Sequence, residues 1–198
     1  MVPLERLTAR DGSLLVVDVQ GKLLDKIPER ARVLANTVRL IRAAQALGMP
    51  YWGTEQYPKG LGPAVPEIAE LIPHRPAKTT FHCCSVVELV EGLHGRKIRH
   101  VTLAGIEAHV CVAQTALELL RMGFLVQVPA DAVASRFDID WEFALRRLEN
   151  AGAVLTTTEA VLFEWVESSE HPQFKVISNL IKEFVPPARL PTAAEEKR

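Results

Sequence analysis

The sequence predicts an open, doubly wound α/β domain, a parallel sheet covered by helices on both faces. Short apolar runs alternate along the chain with longer segments of helical periodicity, the pattern of successive strand–helix units. The runs are continuously apolar rather than alternating, as in Leu14–Val17 (LLVV) and Val101–Ala104 (VTLA), which suits strands buried on both faces. With 198 residues, 48% of them apolar and 24% charged, the chain is long enough for one sizeable core and ordinary in composition for one globular domain. No internal repeat is present.

Each element follows from local pattern. Ser13–Asp18 (SLLVVD) is the first strand by its unbroken apolar character. Arg30–Leu47 places Val33, Leu34, Thr37, Val38, Ile41 and Ala44 on one helical stripe, which Gly48 ends. Pro50–Thr54 reads as the second strand, and Glu55–Pro66, rich in glycine and proline, as a loop. A short strand around Ala77–Phe81 is followed by a helix near Ser85–Leu93. The fourth strand is Ile98–Gly105. The helix after it resumes its apolar pattern at Val110, carries Cys111 and ends near Met122-Gly123. Phe124–Val128 is a strand closed by Pro129, and Asp138 or Asp140 caps a helix running to about Asn150. Val154–Thr156 is the last strand, Thr157 or Thr158 opens a further helix, and Pro172–Phe184 supplies the final one. The domain thus occupies residues 1–184. Residues 185–198 (VPPARLPTAAEEKR) are proline-rich and charged, and are expected to form an arm along a neighbouring subunit.

Charge narrows the function classes. The net charge is −1 with no block of like charge, so nothing points to nucleic acid or to an anionic membrane surface. No apolar run approaches the ~20 residues that span a bilayer, and the first residues lack the apolar stretch of a secretory signal. Three cysteines, two of them adjacent, make a poor disulfide framework, and the protein is expected in the reducing cytoplasm.

In open α/β sheets, sites form beyond the carboxyl ends of the strands. Three reactive side chains fall there: Asp18 at the end of the first strand, Lys78 in the short strand region RPAKTTF, and Cys111 at the start of the helix after the fourth. A thiol at a helix start meets unpaired N–H groups and the positive end of the helix dipole, which favour thiolate. An Asp can take the thiol proton as a general base and return it to a leaving group; a nearby ammonium steadies negative charge. Together they make a covalent cysteine site. Each also has a plainer reading: Asp18 as a loop cap, Lys78 as a solvated lysine, Cys111 as a small buried packing residue. A nucleotide-binding Rossmann domain is disfavoured, because DVQGKLL after the first strand holds one glycine rather than three.

Several ordered segments resolve these alternatives. LLVVDVQ, TEQYPKGLG (54–62), AKTTF (77–81), AGIEAHVCVAQTALEL and ADAVASR (130–136) resemble the isochorismatase-like cysteine hydrolase family, and within it the isochorismatase domain-containing proteins. The resemblance spans roughly residues 11–184. It implies a six-stranded parallel sheet of order 3-2-1-4-5-6 and an Asp–Lys–Cys triad, with Asp18 as base, Lys78 as cation and Cys111 as nucleophile. It also implies a cis peptide between Ile106 and Glu107, aiming the Glu107 and Cys111 N–H groups into an oxyanion hole, and a homo-oligomer, dimeric or larger. Gln20, Leu23, Glu55, Tyr57, Phe81 and Ile106 are the expected substrate contacts; Gln56 suits the same role beside Glu55, and Glu55 equally suits hydrogen bonding within its own loop.

The departures matter as much. Metal-dependent relatives place Asp-x-His after the second strand, where this chain has Thr54-Glu55-Gln56-Tyr57, so no catalytic metal and no other cofactor are expected. His82-Cys83-Cys84 lacks the spacing of a zinc site and suits a helix start with one cysteine turned inward. His109 fits either a substrate donor or packing at the helix start. The expected function is hydrolysis of a small-molecule amide or related C–N or C–O bond through a covalent Cys111 intermediate. The alternative is a non-catalytic interaction or scaffold protein that keeps the fold.

Overall fold

The computed structural model describes residues 6–183. Along the chain it runs β1 (Gly12–Val17), α1 (Gly21–Leu24), α2 (Arg30–Ala46), β2 (Tyr51–Gly53), β3 (Glu55–Gln56), α3 (Pro58–Leu61), α4 (Pro66–Ala69) and β4 (Ala77–Lys78). A 3-10 turn (Cys83–Ser85) leads into α5 (Val87–Gly95), β5 (His100–Ile106), a π-helical turn (Ala108–Val112) and α6 (Ala113–Arg121). The chain then forms β6 (Leu125–Pro129), β7 (Val133–Ala134), α7 (Asp138–Asn150), β8 (Val154–Thr156), α8 (Thr158–Val166) and α9 (Phe174–Lys182).

The main sheet is parallel, ordered β2-β1-β5-β6-β8, with β7 paired to the far end of β5. Alternation along β1 sorts the core into two layers. Leu14 and Val16 pack with α2, α8 and α9, through Leu40, Ile41, Trp165 and Ile177. Leu15 and Val17 face the other way, onto Leu89, Leu93, Ala116, Leu119 and Leu148 of α5, α6 and α7. Helices therefore cover both faces, as expected of a doubly wound domain. Among the described residues no helix is long and apolar enough to cross a membrane.

The outer strand differs from expectation in its connection. β4, the expected third strand, is only two residues long and pairs with β3 in a separate parallel ladder. Because β3 continues the line of β2 past Thr54, β4 still lies beyond the second strand, but the main ladder stops there. The cause lies in β1, which ends at Asp18 in a left-handed turn (φ 51°) and so leaves the edge facing β3 unpaired. The Gln20 side chain takes that edge instead. Its Oε1 accepts from the Gln56 N–H at 2.7 Å, and its Nε2 donates to the Gln56 carbonyl at 3.0 Å and the Gly62 carbonyl at 2.6 Å. One primary amide thus replaces a strand's worth of backbone partners.

Other boundaries move for local reasons. The expected loop 55–66 contains β3 and α3, and proline opens both α3 and α4, where its missing N–H would have been unpaired anyway. Phe137, not Asp138 or Asp140, is the N-cap of α7; both aspartates lie in the first turn, where they oppose the positive end of the helix dipole. Thr157 does cap α8, accepting from the Ala160 N–H at 3.4 Å. The expected arm, residues 185–198, lies outside the described residues.

Gly105 is the glycine that the site requires. Its φ is +116°, and a Cβ there would run into the Val17 backbone of β1. Only glycine lets the ends of β1 and β5 approach this closely, which brings the Asp18 turn beside the Cys111 turn.

Candidate active site

Asp18, Lys78 and Cys111 meet at the carboxyl edge of the sheet. Asp18 is fully buried at the end of β1. Its Oδ2 accepts from Lys78 Nζ at 2.7 Å and its Oδ1 from Thr54 Oγ1 at 2.8 Å. Lys78 spends its other protons on Gln56 Oε1 (2.6 Å) and on the Phe81 and Thr80 carbonyls (3.0 and 3.4 Å). Cys111 lies in the π turn, 5% exposed, close enough to Asp18 and Lys78 for both charges to act on its thiol. Burial opposes the Lys78 charge, yet Asp18 more than compensates, so the ammonium is held above the ordinary lysine range.

The thiol itself corrects an expectation. A helix start and a lysine were expected to favour thiolate. Burial, followed by the negative charge of Asp18, pushes Cys111 far above the ordinary thiol range, and Lys78 offsets this only in part. A buried sulfur beside a carboxylate keeps its proton because the thiolate would lose its hydration and face like charge. The surroundings of Cys111 thus favour the thiol over the thiolate.

Cys83, expected as a packing residue, is fully buried in the 3-10 turn, where its Sγ lies 3.4 Å from Thr54 Oγ1 and its N–H donates to Thr115 Oγ1 at 2.9 Å. Burial and then Asp18 push its thiol from 9.0 to about 11. The sign of the pH effect follows. A proton held more tightly in the folded chain contributes stability that is fully present below pH 9 and lost as pH rises through about 11. Urea unfolding should show stability falling above pH 9, by roughly 1–3 kcal/mol for this group, with a shallower fall in Cys83→Ala. Equal slopes in the two proteins would contradict the assignment.

The expected substrate contacts separate into two sets. Tyr57 (52% exposed, φ 37°) and Phe81 (49% exposed) stand at the surface beside Lys78. Tyr57 helps to line an open cleft of about 490 Å³ that also takes in Lys59, Lys78, Thr79, Thr80 and Ser85. Gln20 and Ile106 are fully buried, the first engaged with the β3 backbone, and Leu23 packs against the core. Glu55 takes its loop-bonding alternative: Oε1 accepts from the Ala64 N–H (3.0 Å) and Arg75 Nε (2.9 Å).

The Ile106–Glu107 peptide is cis. The Glu107 carboxylate accepts from both the N–H and Nε of Arg136, each at 3.0 Å, tying the turn to the segment after β7. His109 is held at the helix start, Nδ1 2.9 Å from Ser135 Oγ and Nε2 3.8 Å from Asp140. Among the described residues no three His, Cys, Asp or Glu side chains gather as a metal site. A second hollow, about 540 Å³ and lined by Gln45, Tyr51, Trp52 and Arg96, opens at the amino end of β2, away from this chemistry.

Thr54, which holds Asp18, was not singled out from the sequence. The available signal was positional: it follows the strand beside β1, at the edge where Asp18 emerges. Gln56 holds Lys78.

Comparison with known proteins agrees with this geometry. The isochorismatase domain profile matches residues 13–160. Isochorismatase domain-containing protein 2 from Danio rerio is 40% identical over 183 residues, covering 91% of this chain and 92% of the relative. A solved structure described as MAR1 ribonuclease from Caenorhabditis elegans is 39% identical, with a TM-score of 0.83, over 94% of this chain and 100% of that one. The Escherichia coli YcaC gene product, described as an octameric hydrolase of unknown specificity, is 26% identical with a TM-score of 0.78, over 91% and 97% of the two chains. The chain that brings Asp18, Lys78 and Cys111 together on this sheet is a member of the isochorismatase family of hydrolase fold.

Proposed function

We propose that the protein is a metal-independent cysteine hydrolase acting on a small-molecule amide or related C–N or C–O electrophile. The observation that carries this reading is the meeting of a buried Cys111 thiol with the buried Asp18 carboxylate, whose Oδ2 lies 2.7 Å from Lys78 Nζ. The thiol attacks the electrophilic carbon as Asp18 takes its proton, so the S–C bond forms without a free thiolate accumulating in a buried site. The oxyanion is received by the N–H groups of Glu107 and Cys111. Asp18 passes the proton to the departing nitrogen or oxygen as that bond breaks. Water then attacks the acyl-sulfur carbon, Asp18 accepts its proton, and the thiol is restored. Lys78 keeps Asp18 ionised and oriented throughout, and no metal or organic cofactor takes part. Substrate enters by the cleft at Tyr57, Thr80 and Lys78.

The relative described as a ribonuclease supports a second reading, cleavage of RNA. The near-neutral charge, with 23 basic against 24 acidic residues, and the complete burial of Asp18 favour a small molecule instead. The octameric relative and exposed Phe137, Ile139 and Phe143 on and beside α7 support self-association. The setting is cytoplasmic, and a scaffold role would leave the assembled site without a task.

Intact-mass spectrometry of wild type and Cys111→Ser, against small amides, metabolite extracts and an RNA oligonucleotide, tests the proposal. Wild type should gain a mass that the variant does not, while RNA stays intact. Turnover of a substrate by Cys111→Ser at the wild-type rate rules the mechanism out.

A further inference from the structure

One buried hydroxyl and one buried thiol remain outside the mechanism, and they touch each other. Thr54 is 2% exposed; its Oγ1 lies 2.8 Å from Asp18 Oδ1 and 3.4 Å from Cys83 Sγ. A threonine hydroxyl has one proton, and an ionised carboxylate can only accept. The proton therefore points from Thr54 to Asp18, which leaves Cys83 as the donor to Thr54. Its thiol, held protonated up to about 11, is able to fill that role at any physiological pH.

The result is a directed chain, Cys83 S–H to Thr54 O–H to Asp18 Oδ1, opposite the Lys78 bond on Oδ2. The Thr54 backbone is fixed by its own N–H, which donates to the Val16 carbonyl of β1 at 3.0 Å, and Cys83 by its N–H to Thr115 Oγ1 at 2.9 Å. These bonds hold the backbone of both residues beside Asp18. The groups facing Asp18 are then complete by element: Lys78 from β4, Cys83 from the 3-10 turn, Cys111 from the π turn and Thr54 from the end of β2.

We infer that Thr54, backed by Cys83, is the positioning residue of the general base: it pins one carboxylate oxygen of Asp18 so that the free lone pair faces the Cys111 thiol. The inference rests on the proposed role of Asp18 as base, and it assigns His82-Cys83-Cys84 a purpose that packing alone does not supply. A hydrogen bond from a neutral donor to a carboxylate favours the ionised form, so its loss makes the carboxylate easier to protonate.

Thr54→Val, nearly isosteric, removes the donor; Thr54→Ser keeps it without the methyl. The acid limb of the pH profile for adduct formation at Cys111 should move up by about one pH unit in Thr54→Val and stay at the wild-type position in Thr54→Ser. Cys83→Ala should move it in the same direction by less. The ¹³C signal of the Asp18 carboxyl, followed against pH in a Cys111→Ser background, should show the same displacement independently of any reaction at sulfur. Coincident Asp18 transitions in wild type and Thr54→Val overturn the inference, as does Thr54→Ser behaving like Thr54→Val, even where Cys111 forms its adduct. Displaced transitions without any adduct uphold the positioning role and reject the nucleophile.

Discussion

An Asp18→Asn variant should react faster with iodoacetamide at Cys111 and yet turn over substrate far more slowly. The negative charge of Asp18 holds the Cys111 proton in place, while Lys78 alone acts to release it. With asparagine at position 18, Lys78 faces the thiol without its counter-charge, and the thiolate population at neutral pH should rise at least about tenfold. Alkylation needs nothing beyond that thiolate. Hydrolysis also needs a proton delivered to the leaving group and one removed from water, and loss of a general acid–base group lowers turnover by about 10²–10⁴-fold. Alkylation rates from peptide mass spectrometry, set against adduct turnover, read the two effects separately. Parallel losses in both rates would mean that Asp18 activates the thiol without shuttling a proton, and the mechanism would need another base.

Lys78→Met should be the most damaging single change to stability in the site. It leaves the Asp18 carboxylate, with no exposed surface, facing only the uncharged Thr54 hydroxyl and the neighbouring cysteine thiols. Removing one partner of a buried ion pair costs about 3–5 kcal/mol, because the remaining charge keeps its desolvation penalty without its compensation. In a chain of this size that corresponds to a fall in Tm of roughly 10 °C. The double variant Asp18→Asn/Lys78→Met replaces the pair by uncharged groups of similar volume and should recover most of the loss while remaining inactive. Calorimetry on the three variants decides the matter: a single variant as stable as wild type would mean that the pair is solvated in solution.

The legibility of this site in the sequence varied with the kind of physics involved. The strands β1 and β5 were readable because continuous apolar runs report burial on both faces. Asp18 and Cys111 were readable because they sit where those runs break. The ladder β3–β4 was not, since two-residue strands carry no periodicity and owe their pairing to Gln20, a contact 36 residues away in sequence from Gln56. Thr54 was invisible for a related reason: a threonine ending a strand has many uses, and only the fold brings it to Asp18. The protonation of Cys111 was misjudged because sequence position reveals a helix start but not the depth at which the sulfur is buried. Helix caps failed at α7, where the exposed Phe137 takes the N-cap position without a capping side chain and both nearby aspartates fall inside the first turn.

Gln20 has a further consequence. Asp18 belongs to the main sheet and Lys78 to the side ladder, and much of the seam between them is held by side chains: Gln20 on Gln56, Thr54 on Asp18, Lys78 on Asp18. Backbone ladders open cooperatively with the strands that form them, whereas side-chain bridges release one at a time. The β3–β4 ladder should therefore open at a lower free energy than global unfolding, and hydrogen exchange should find its amides less protected than those of β1 and β5.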